Sequence, residues 1–148
     1  MTENFEKPKG SLNFTFTNLQ ASGIESKGNI KEIDYGNGVY YKGECNALNQ
    51  KQGKGIFNDG LDNIYEGEFL NDKIHGYGVY KTTEGTVYEG EWKDDLQDGY
   101  GKETWPDGSY YKGAYKYGLK EGKGYYRWQD GSEYDGDWVA GCIEGYVR

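Results

Sequence analysis

The sequence contains few of the residues from which metal sites and nucleophilic active sites are built. Two cysteines and one histidine among 148 residues cannot form a transition-metal cage. No apolar run approaches the roughly 20 residues that a membrane-spanning helix needs. The first residues lack the apolar stretch of a secretory signal, and Glu3 and Glu6 argue against a transit peptide. We therefore expect a cytoplasmic, non-enzymatic protein without a cofactor or a metal ion.

Aliphatic residues and positive charge are also scarce. Hydrophobic residues make up 34% of the chain, and the mean hydropathy is -1.01. The formal net charge is -8 and the isoelectric point is about 4.7, so the chain as a whole repels phosphates and anionic headgroups. The composition therefore argues against nucleic acid as a partner and makes a membrane surface an unfavourable one.

Glycine and aromatic residues are abundant instead, and two residue types recur with one period. The chain has 25 glycines, and 17% of its residues are aromatic. Five glycines stand 23 residues apart: Gly53, Gly76, Gly99, Gly122 and Gly145. Five tyrosines follow the same interval, with one extra residue after the first: Tyr41, Tyr65, Tyr88, Tyr111 and Tyr134. A period of this length is typical of repeat architectures, in which each unit packs mainly against its neighbours.

Each unit has the pattern of a β-hairpin. In one opening segment, Tyr88, Gly90 and Trp92 alternate with Glu89 and Glu91, as expected for a strand with one solvated face. The second half of each unit begins with paired glycines, continues with aromatic residues, and closes with a turn such as Asp-Gly. We predict an all-β fold: an elongated, single-layer antiparallel sheet of consecutive hairpins, with open edges at both ends.

Such a polar, single-layer sheet needs an unusual core. Glycine weakens a strand by roughly 0.5 to 1 kcal/mol relative to alanine, so repeated glycines require another group that fills the space above them. Tyrosine, tryptophan and phenylalanine rings from neighbouring strands can lie over the glycines, each burying on the order of 150 to 250 Å². We therefore predict a thin core made of glycine and aromatic rings.

The units resemble the MORN repeat, whose pattern is approximately YxGEWxxGxxHGxGxYxxxDG. The resemblance is closest in residues 65–87 and 88–110 and extends over about residues 35–148. Three positions depart from the pattern: Cys45 replaces a strand aromatic, Ala114 replaces a glutamate, and Val147 replaces a glycine. The resemblance implies a role in interactions, because MORN-repeat proteins occur in ciliary and cytoskeletal structures and at membrane junctions. Others carry lipid kinase or methyltransferase domains, which this sequence does not show.

The sequence divides into three segments. Residues 1–10 are expected to be a flexible tail, and residues 41–148 the MORN-repeat array. Residues 11–40 are expected to form an N-terminal β cap or a degenerate repeat. Within them, residues 11–19 alternate like a strand, and an alternative role for Phe14 and Phe16 is to dock a partner.

The first candidate surface is an aromatic groove. A partly buried band of rings would fit an amphipathic helix or an extended peptide. The alternative is that packing of rings on glycines consumes the whole band. The residues predicted to line the groove are Tyr65, Tyr88, Trp92, Trp105, Tyr111 and Trp128.

Charged columns provide two further candidates. The acidic columns consist of Glu44, Glu66, Glu68, Glu89, Glu91, Asp135 and Asp137. They are either a solvated face that limits aggregation or a docking surface for a basic partner. The fourth unit carries a candidate contact for an anion or an acidic peptide, made of Lys112, Lys116, Lys120 and Lys123. The alternative is that these lysines only balance the charge of the acidic unit before them.

The last candidate is the C-terminal edge at Gly145, Tyr146 and Val147, where a hairpin is left unfinished. Open strand edges recruit other strands, so we expect this edge to meet another chain, either a second copy in a homodimer or a different subunit. The alternative is that the sequence is a piece of a longer array.

The remaining reactive side chains are expected to be structural. Cys45 and Cys142 are about four units apart, beyond the roughly 7 Å Cα separation that a disulfide tolerates, and should be free thiols. Cys45 should pack as a small apolar residue, and His75 should have a structural role at the hairpin turn.

Taken together, these features predict a scaffold or protein–protein interaction module. It would act as a rigid docking platform or spacer in a larger assembly, and the resemblance favours a ciliary or cytoskeletal one. The alternative is a peripheral membrane adaptor that binds anionic phospholipid through the lysines of the fourth unit.

Overall fold

The computed structural model describes residues 29–145, which form one open antiparallel sheet of eleven strands in sequential order. The strands are β1 (Asn29–Gly36), β2 (Val39–Cys45), β3 (Lys51–Asp59), β4 (Ile64–Leu70), β5 (Lys73–Lys81), β6 (Val87–Lys93), β7 (Leu96–Thr104), β8 (Tyr110–Lys116), β9 (Leu119–Arg127), β10 (Glu133–Val139) and β11 (Cys142–Glu144). The described residues contain no helix. The predicted single-layer sheet of consecutive hairpins is therefore confirmed.

Several expectations fall outside the described residues. They concern the tail at residues 1–10, the alternating segment at 11–19 with Phe14 and Phe16, and Tyr146 and Val147 at the C-terminal edge. The later part of the predicted cap is described, and it forms β1, which pairs with β2.

Two-residue turns with positive φ at both positions join the two strands of each unit from residue 65 onward. Asn71 (φ 51) and Asp72 (φ 71) connect β4 to β5, which is the type I′ geometry that suits the twist of a hairpin. Asparagine, aspartate and glycine adopt positive φ readily, whereas Tyr117 and Ala140 are unusual in this conformation. The later turns of this kind are Asp94-Asp95, Tyr117-Gly118 and Ala140-Gly141.

Along one side of the sheet, each of these short turns is also bonded to the second strand of the preceding hairpin. The N–H of Asp95 donates to the carbonyl of Ile74 at 2.9 Å, and the N–H of Gly118 donates to the carbonyl of Gln97 at the same distance. The N–H of Gly141 continues the series to the carbonyl of Lys120. Each hairpin is therefore held to the preceding one beyond the strand ladder itself.

Four of the five glycines with the 23-residue period form bulges, one in each of the strands β3, β5, β7 and β9. Gly76 has a φ of 94°, and the register of β4 with β5 shifts beside it, from Gly67↔Gly78 to Phe69↔Ile74. Gly53, Gly99 and Gly122 also have positive φ. Glycine is required at these positions because residues with a Cβ rarely adopt this conformation.

The core lies on one face of the sheet, which we call the inner face. Tyr65, Gly67 and Phe69 are buried on this face, and Glu66 and Glu68 alternate with them on the opposite, outer face. The predicted alternation of the opening strand is therefore confirmed here. The inner-face cluster of buried residues consists of Tyr41, Cys45, Tyr65, Phe69, Tyr88, Trp92, Tyr111, Tyr115, Tyr134 and Trp138.

Candidate functional site

The repeated tyrosines lie over glycines, as predicted, but over those of their own unit. The ring of Tyr65 lies above Gly67 and its register partner Gly78, where an added Cβ would collide with the ring or its hydroxyl. The hydroxyl donates to the carbonyl of Glu68 at 2.9 Å. Contact between units comes from the aromatic residue at the end of the opening strand: Phe69 packs on the ring of Tyr41, and the indole Nε1 of Trp92 donates to the carbonyl of Gly78 at 3.2 Å.

This packing corrects the prediction of a six-residue aromatic groove. Tyr65 and Tyr88 are each 1% exposed, Tyr111 is 0% exposed, and Trp92 is 7% exposed. Rings at this depth line no accessible groove, because each is enclosed by glycine backbone and by neighbouring rings in edge-to-face contact.

Trp105 and Trp128 are the two predicted groove residues that stay partly exposed, and they lie together. The rings of Trp105 and Tyr126 stack with centroids 5.6 Å apart and planes at 29°. Trp128 adjoins the same tyrosine, with ring centroids 4.5 Å apart. We call Trp105, Tyr126 and Trp128 the tryptophan cluster. It packs against the edge of the buried core on the inner face.

A lysine lies beside this cluster, over the ring of Trp105 and the rings of two buried core residues. The ammonium of Lys120 is 5.2 Å from the ring centroid of Trp105, 5.4 Å from that of Tyr111 and 5.9 Å from that of Trp138. Cation–π contacts of this kind stabilise by roughly 0.5 to 2 kcal/mol, depending on desolvation. The inner face can therefore hold a positive charge among aromatic rings.

The inner face also contains a carboxylate that the sequence reasoning missed. Glu103 occupies the position that Phe57, Tyr80 and Tyr126 fill in the other units, and it pairs in register with Tyr111. Its carboxylate accepts a hydrogen bond from the hydroxyl of Tyr115 at 2.9 Å. Burial and this negative neighbour raise the pKa of Tyr115. The sequence did contain a signal for this carboxylate, because an acidic residue stands at a position that is aromatic in the other units.

The acidic columns lie on the outer face, but they do not form a uniform solvated ladder. Glu44 and Glu89 are each 4% exposed, so the interpretation as a solvated face is wrong for these two residues. Glu68 and Glu91 turn toward the backbone of the next strand, where each accepts an N–H bond beside a bulge glycine. Burial raises the pKa of Glu66 to about 7.

The four lysines of the predicted anion contact do not converge, which corrects that prediction. Lys112 and Lys123 lie on the outer face, and Lys116 lies at the short-turn side, whereas Lys120 pairs in register with buried Tyr115 on the inner face. Lys123 forms an ion pair with Asp137 at 2.7 Å. Strand alternation separates the set, because Lys120 lies beyond a turn and a change of register.

The other predicted site residues are placed as follows. Gly145 comes directly after β11, a strand of three residues. Both cysteines are free; Cys45 is buried in the core as predicted, and Cys142 is exposed. His75 lies within β5 beside the bulge rather than at the turn, and its Nδ1 is 3.9 Å from the carboxylate of Asp94.

The comparisons with known proteins agree with this geometry. A family model for the MORN repeat matches residues 65–87, 88–110 and 111–133, three consecutive hairpin units. The chain is a MORN-repeat protein. A comparison with curated proteins finds no match.

The MORN geometry continues on both sides of the matched residues. The hydroxyl of Tyr41 donates to the carbonyl of Glu44 at 2.6 Å, and that of Tyr134 donates to the carbonyl of Asp137 at 2.9 Å. Both bonds repeat the one made by Tyr65 within a matched MORN unit. Five tyrosine positions therefore share one structural role.

Within residues 29–145, the candidate functional sites of the MORN sheet are surfaces. No group of three or more His, Cys, Asp or Glu side chains there could hold a metal ion. None of these residues belongs to a helix that could cross a membrane. The tryptophan cluster and the charged strips of the outer face are the candidate functional surfaces.

Proposed function

We propose that this MORN-repeat protein is a non-enzymatic docking platform whose inner face binds a segment of another protein. The tryptophan cluster is the observation that carries the proposal. The ten residues of the buried core are exposed by 7% or less, whereas Trp105, Tyr126 and Trp128 keep part of their surface exposed. Phe57 and Tyr80 are also partly exposed, but among the described residues only the tryptophan cluster brings three such rings into contact. Exposed aromatic rings at the edge of a rigid core are common anchors of protein interfaces.

The sheet provides the rigidity that a platform requires. Eleven strands at about 4.8 Å spacing extend roughly 50 Å, and each hairpin is held to the next by ladder bonds, ring contacts and bonds from its short turn. A partner bound at the tryptophan cluster would therefore be held at a fixed distance from one bound elsewhere. The resemblance to ciliary and cytoskeletal MORN proteins favours an assembly of that kind.

A peripheral membrane adaptor receives less support. That alternative relied on four lysines acting together, and Lys120 points to the opposite face from Lys112. The acidic residues on either side of the remaining lysines would oppose an anionic bilayer.

The test is affinity capture from the source cell with matched variants. The double variant W105A/W128A removes the exposed part of the tryptophan cluster, and L48S/L61S changes two residues that are more exposed than either tryptophan. We expect a discrete set of captured proteins that is lost with W105A/W128A and kept with L48S/L61S. Thermal unfolding of both variants controls for loss of the fold.

Three outcomes would contradict the proposal. The captured set could be the same for both variants, the chain could capture nothing above background, or the isolated chain could show reproducible catalytic turnover. Crosslinks from the captured proteins should map to residues adjoining Trp105 and Trp128.

A further inference from the structure

The outer face of β7, β8 and β9 carries a compact basic strip. Its nine register positions are Tyr100, Lys102, Thr104, Tyr110, Lys112, Ala114, Lys123, Tyr125 and Arg127. Four of these nine residues are basic and none is acidic, in a chain whose net charge is -8. We call these nine positions the basic strip.

Like charges meet at the centre of the strip. Lys102 and Lys112 are direct register partners across β7 and β8. Like charges placed opposite one another destabilise a sheet unless an opposite charge lies near both. Glu89 on β6 is the register partner of Lys102 on its other side, whereas Lys112 has Tyr125 as its other register partner and no acidic one. An anionic group above Lys112 would offset the repulsion between the two lysines, so the centre of the strip favours an anionic ligand.

Acidic residues border the strip on both sides. Glu89 and Glu91 lie beside it on β6, and Glu133, Asp135 and Asp137 lie beside it on β10. Lys123 and Arg127, at the β10 side, already face Asp137 at 2.7 Å and Glu133 at 3.9 Å. A broad anionic surface would meet these borders as well as the lysines. The borders therefore favour a narrow anionic partner that fits between them.

The width of the strip matches one α-helix. Three adjacent strands span about 10 Å from the first to the third, which is close to the diameter of a helix. The strands of the strip are interior strands, so their backbone groups are bonded to β6, β10 and each other. An extended peptide would find no free backbone groups here, whereas a helix brings its own already bonded.

The strip also offers apolar contact. Tyr100 is 56% exposed, and the ring of Tyr110 adjoins that of Tyr125 with centroids 5.9 Å apart. The ammonium of Lys102 lies 4.8 Å from the ring centroid of Tyr110. Rings and lysine stems together can pack against the apolar stripe of an amphipathic helix, while the ammonium groups meet its carboxylates.

The geometry points to a second docking surface on this protein: the basic strip binds an acidic amphipathic α-helix of another protein, laid along β7, β8 and β9 between the two acidic borders. This surface lies on the opposite side of the sheet from the tryptophan cluster, so the two can be occupied together. It goes beyond the inner-face docking proposed above, and either can fail without the other.

The test uses a synthetic probe and charge-matched variants. The probe is a fluorescent helical peptide of about 14 residues with glutamates and leucines on one face, and binding is followed by fluorescence anisotropy. One control peptide has lysine in place of each glutamate. A second control peptide differs from the probe only by a proline at its centre, which breaks the helix. The variant K102E/K112E reverses the charge of the strip, whereas K73E/K93E makes the same charge change on the outer face outside it.

We expect the acidic helix to bind the native protein and K73E/K93E, and to bind K102E/K112E at least about tenfold more weakly. Raising the salt concentration should weaken binding, and neither control peptide should bind comparably. W105A/W128A should bind the probe like the native protein, which separates this surface from the inner-face site.

Four results would overturn the inference. The acidic helix could fail to bind, or it could bind K102E/K112E as well as it binds the native protein. The third is that the native protein binds vesicles of phosphatidylserine and phosphatidylcholine but not the peptide, and that K102E/K112E loses the vesicle binding. That result would make the strip a lipid contact. The fourth is self-association of the chain that K102E/K112E abolishes, which would make a second copy the occupant.

Discussion

The carboxylate of Glu91 accepts the backbone N–H of Tyr100 at 2.9 Å, and its Oε1 fills the space where Gly99 has no side chain. Glu68 makes the equivalent bond to the N–H of Tyr77 at 3.2 Å, beside Gly76. The glutamate of the Tyr-x-Gly-Glu segment therefore completes the bulge of the following strand. An acidic column of the sequence thus has a structural role that its charge alone did not indicate.

Replacing Glu91 with alanine should destabilise the protein by about 1 to 2 kcal/mol, because the N–H of Tyr100 loses a charged acceptor. Ala114 supplies the reciprocal experiment. It stands where the glutamate would be, and a Cβ at Gly122 would meet only its methyl group within 4 Å, at 3.5 Å. A114E should therefore stabilise by about 0.5 to 1 kcal/mol. Urea denaturation of both variants measures the free energy of unfolding. A change in the same direction for E91A and A114E would contradict the role of the glutamate.

Replacing Gly78 with alanine should cost about 3 kcal/mol or more, at the upper end of the range for overpacked cores. The new Cβ would collide with the ring and hydroxyl of Tyr65, which is buried and hydrogen-bonded and cannot withdraw. Gly108 is the matched control, because its φ is 94° but no atom lies within 4 Å of the Cβ position.

G108A should therefore cost only about 1 kcal/mol, for the backbone conformation. Thermal and chemical denaturation compare the two variants. A loss of stability at Gly78 no greater than that at Gly108 would show that the tyrosine ring does not fill the space above the glycine pair.

Replacing Glu66 with glutamine should raise stability at pH 8 and change it little at pH 5. The carboxylate faces Ile56 and Val79 across the sheet, and its buried Oε2 has no hydrogen-bond partner among the described residues. Burial raises its pKa from 4.5 to about 7, against the opposing effect of Lys81. The folded protein therefore holds this proton more tightly than the unfolded chain does.

The contribution of Glu66 to stability is then fully present below about pH 4.5 and is lost as the pH rises through 7. After discounting for partial exposure to solvent, we expect E66Q to gain about 1 kcal/mol at pH 8. Thermal melts of both proteins between pH 5 and pH 8 test this. Parallel curves for the native protein and E66Q would refute it.

The two thiols should differ strongly in reactivity. Cys45 is 4% exposed in the core, and burial raises its pKa, whereas Cys142 is exposed on β11. Because the thiolate is the reactive form, a thiol reagent at pH 8 should modify about one cysteine per native chain and both after denaturation. C142S should abolish the fast reaction, and fast modification of two thiols in the native protein would contradict the placement of Cys45.

The hairpin repeat and the glycine–aromatic core could be predicted because their causes are local and periodic. The alternation of Tyr88, Gly90 and Trp92 specifies which face each residue takes, and the 23-residue interval repeats that choice. The degree of burial could not be read in the same way. It depends on ring orientation: the Tyr88 ring runs along its own strand and is enclosed, whereas Trp105 lies beyond the glycine pair and keeps exposed surface.

The prediction that four lysines of the fourth unit form one contact was wrong for a similar reason. Lys112 and Lys120 are eight residues apart, which strict alternation would place on one face. The turn at Tyr117-Gly118 and the register shift beyond Gly113 intervene, so Lys120 enters the inner face while Lys112 stays on the outer one. Lys102, which lies in the preceding unit, becomes the direct neighbour of Lys112 instead.

The bonds from each short turn to the preceding hairpin have a consequence for how such a protein changes in evolution. Because each short turn is completed by the hairpin next to it, a unit of 23 residues can be duplicated or deleted without repacking the others. Each such event would shift the distance between the two extremities by about 10 Å. The length of the sheet can therefore change between related proteins by whole units, without altering the surfaces of the units that remain.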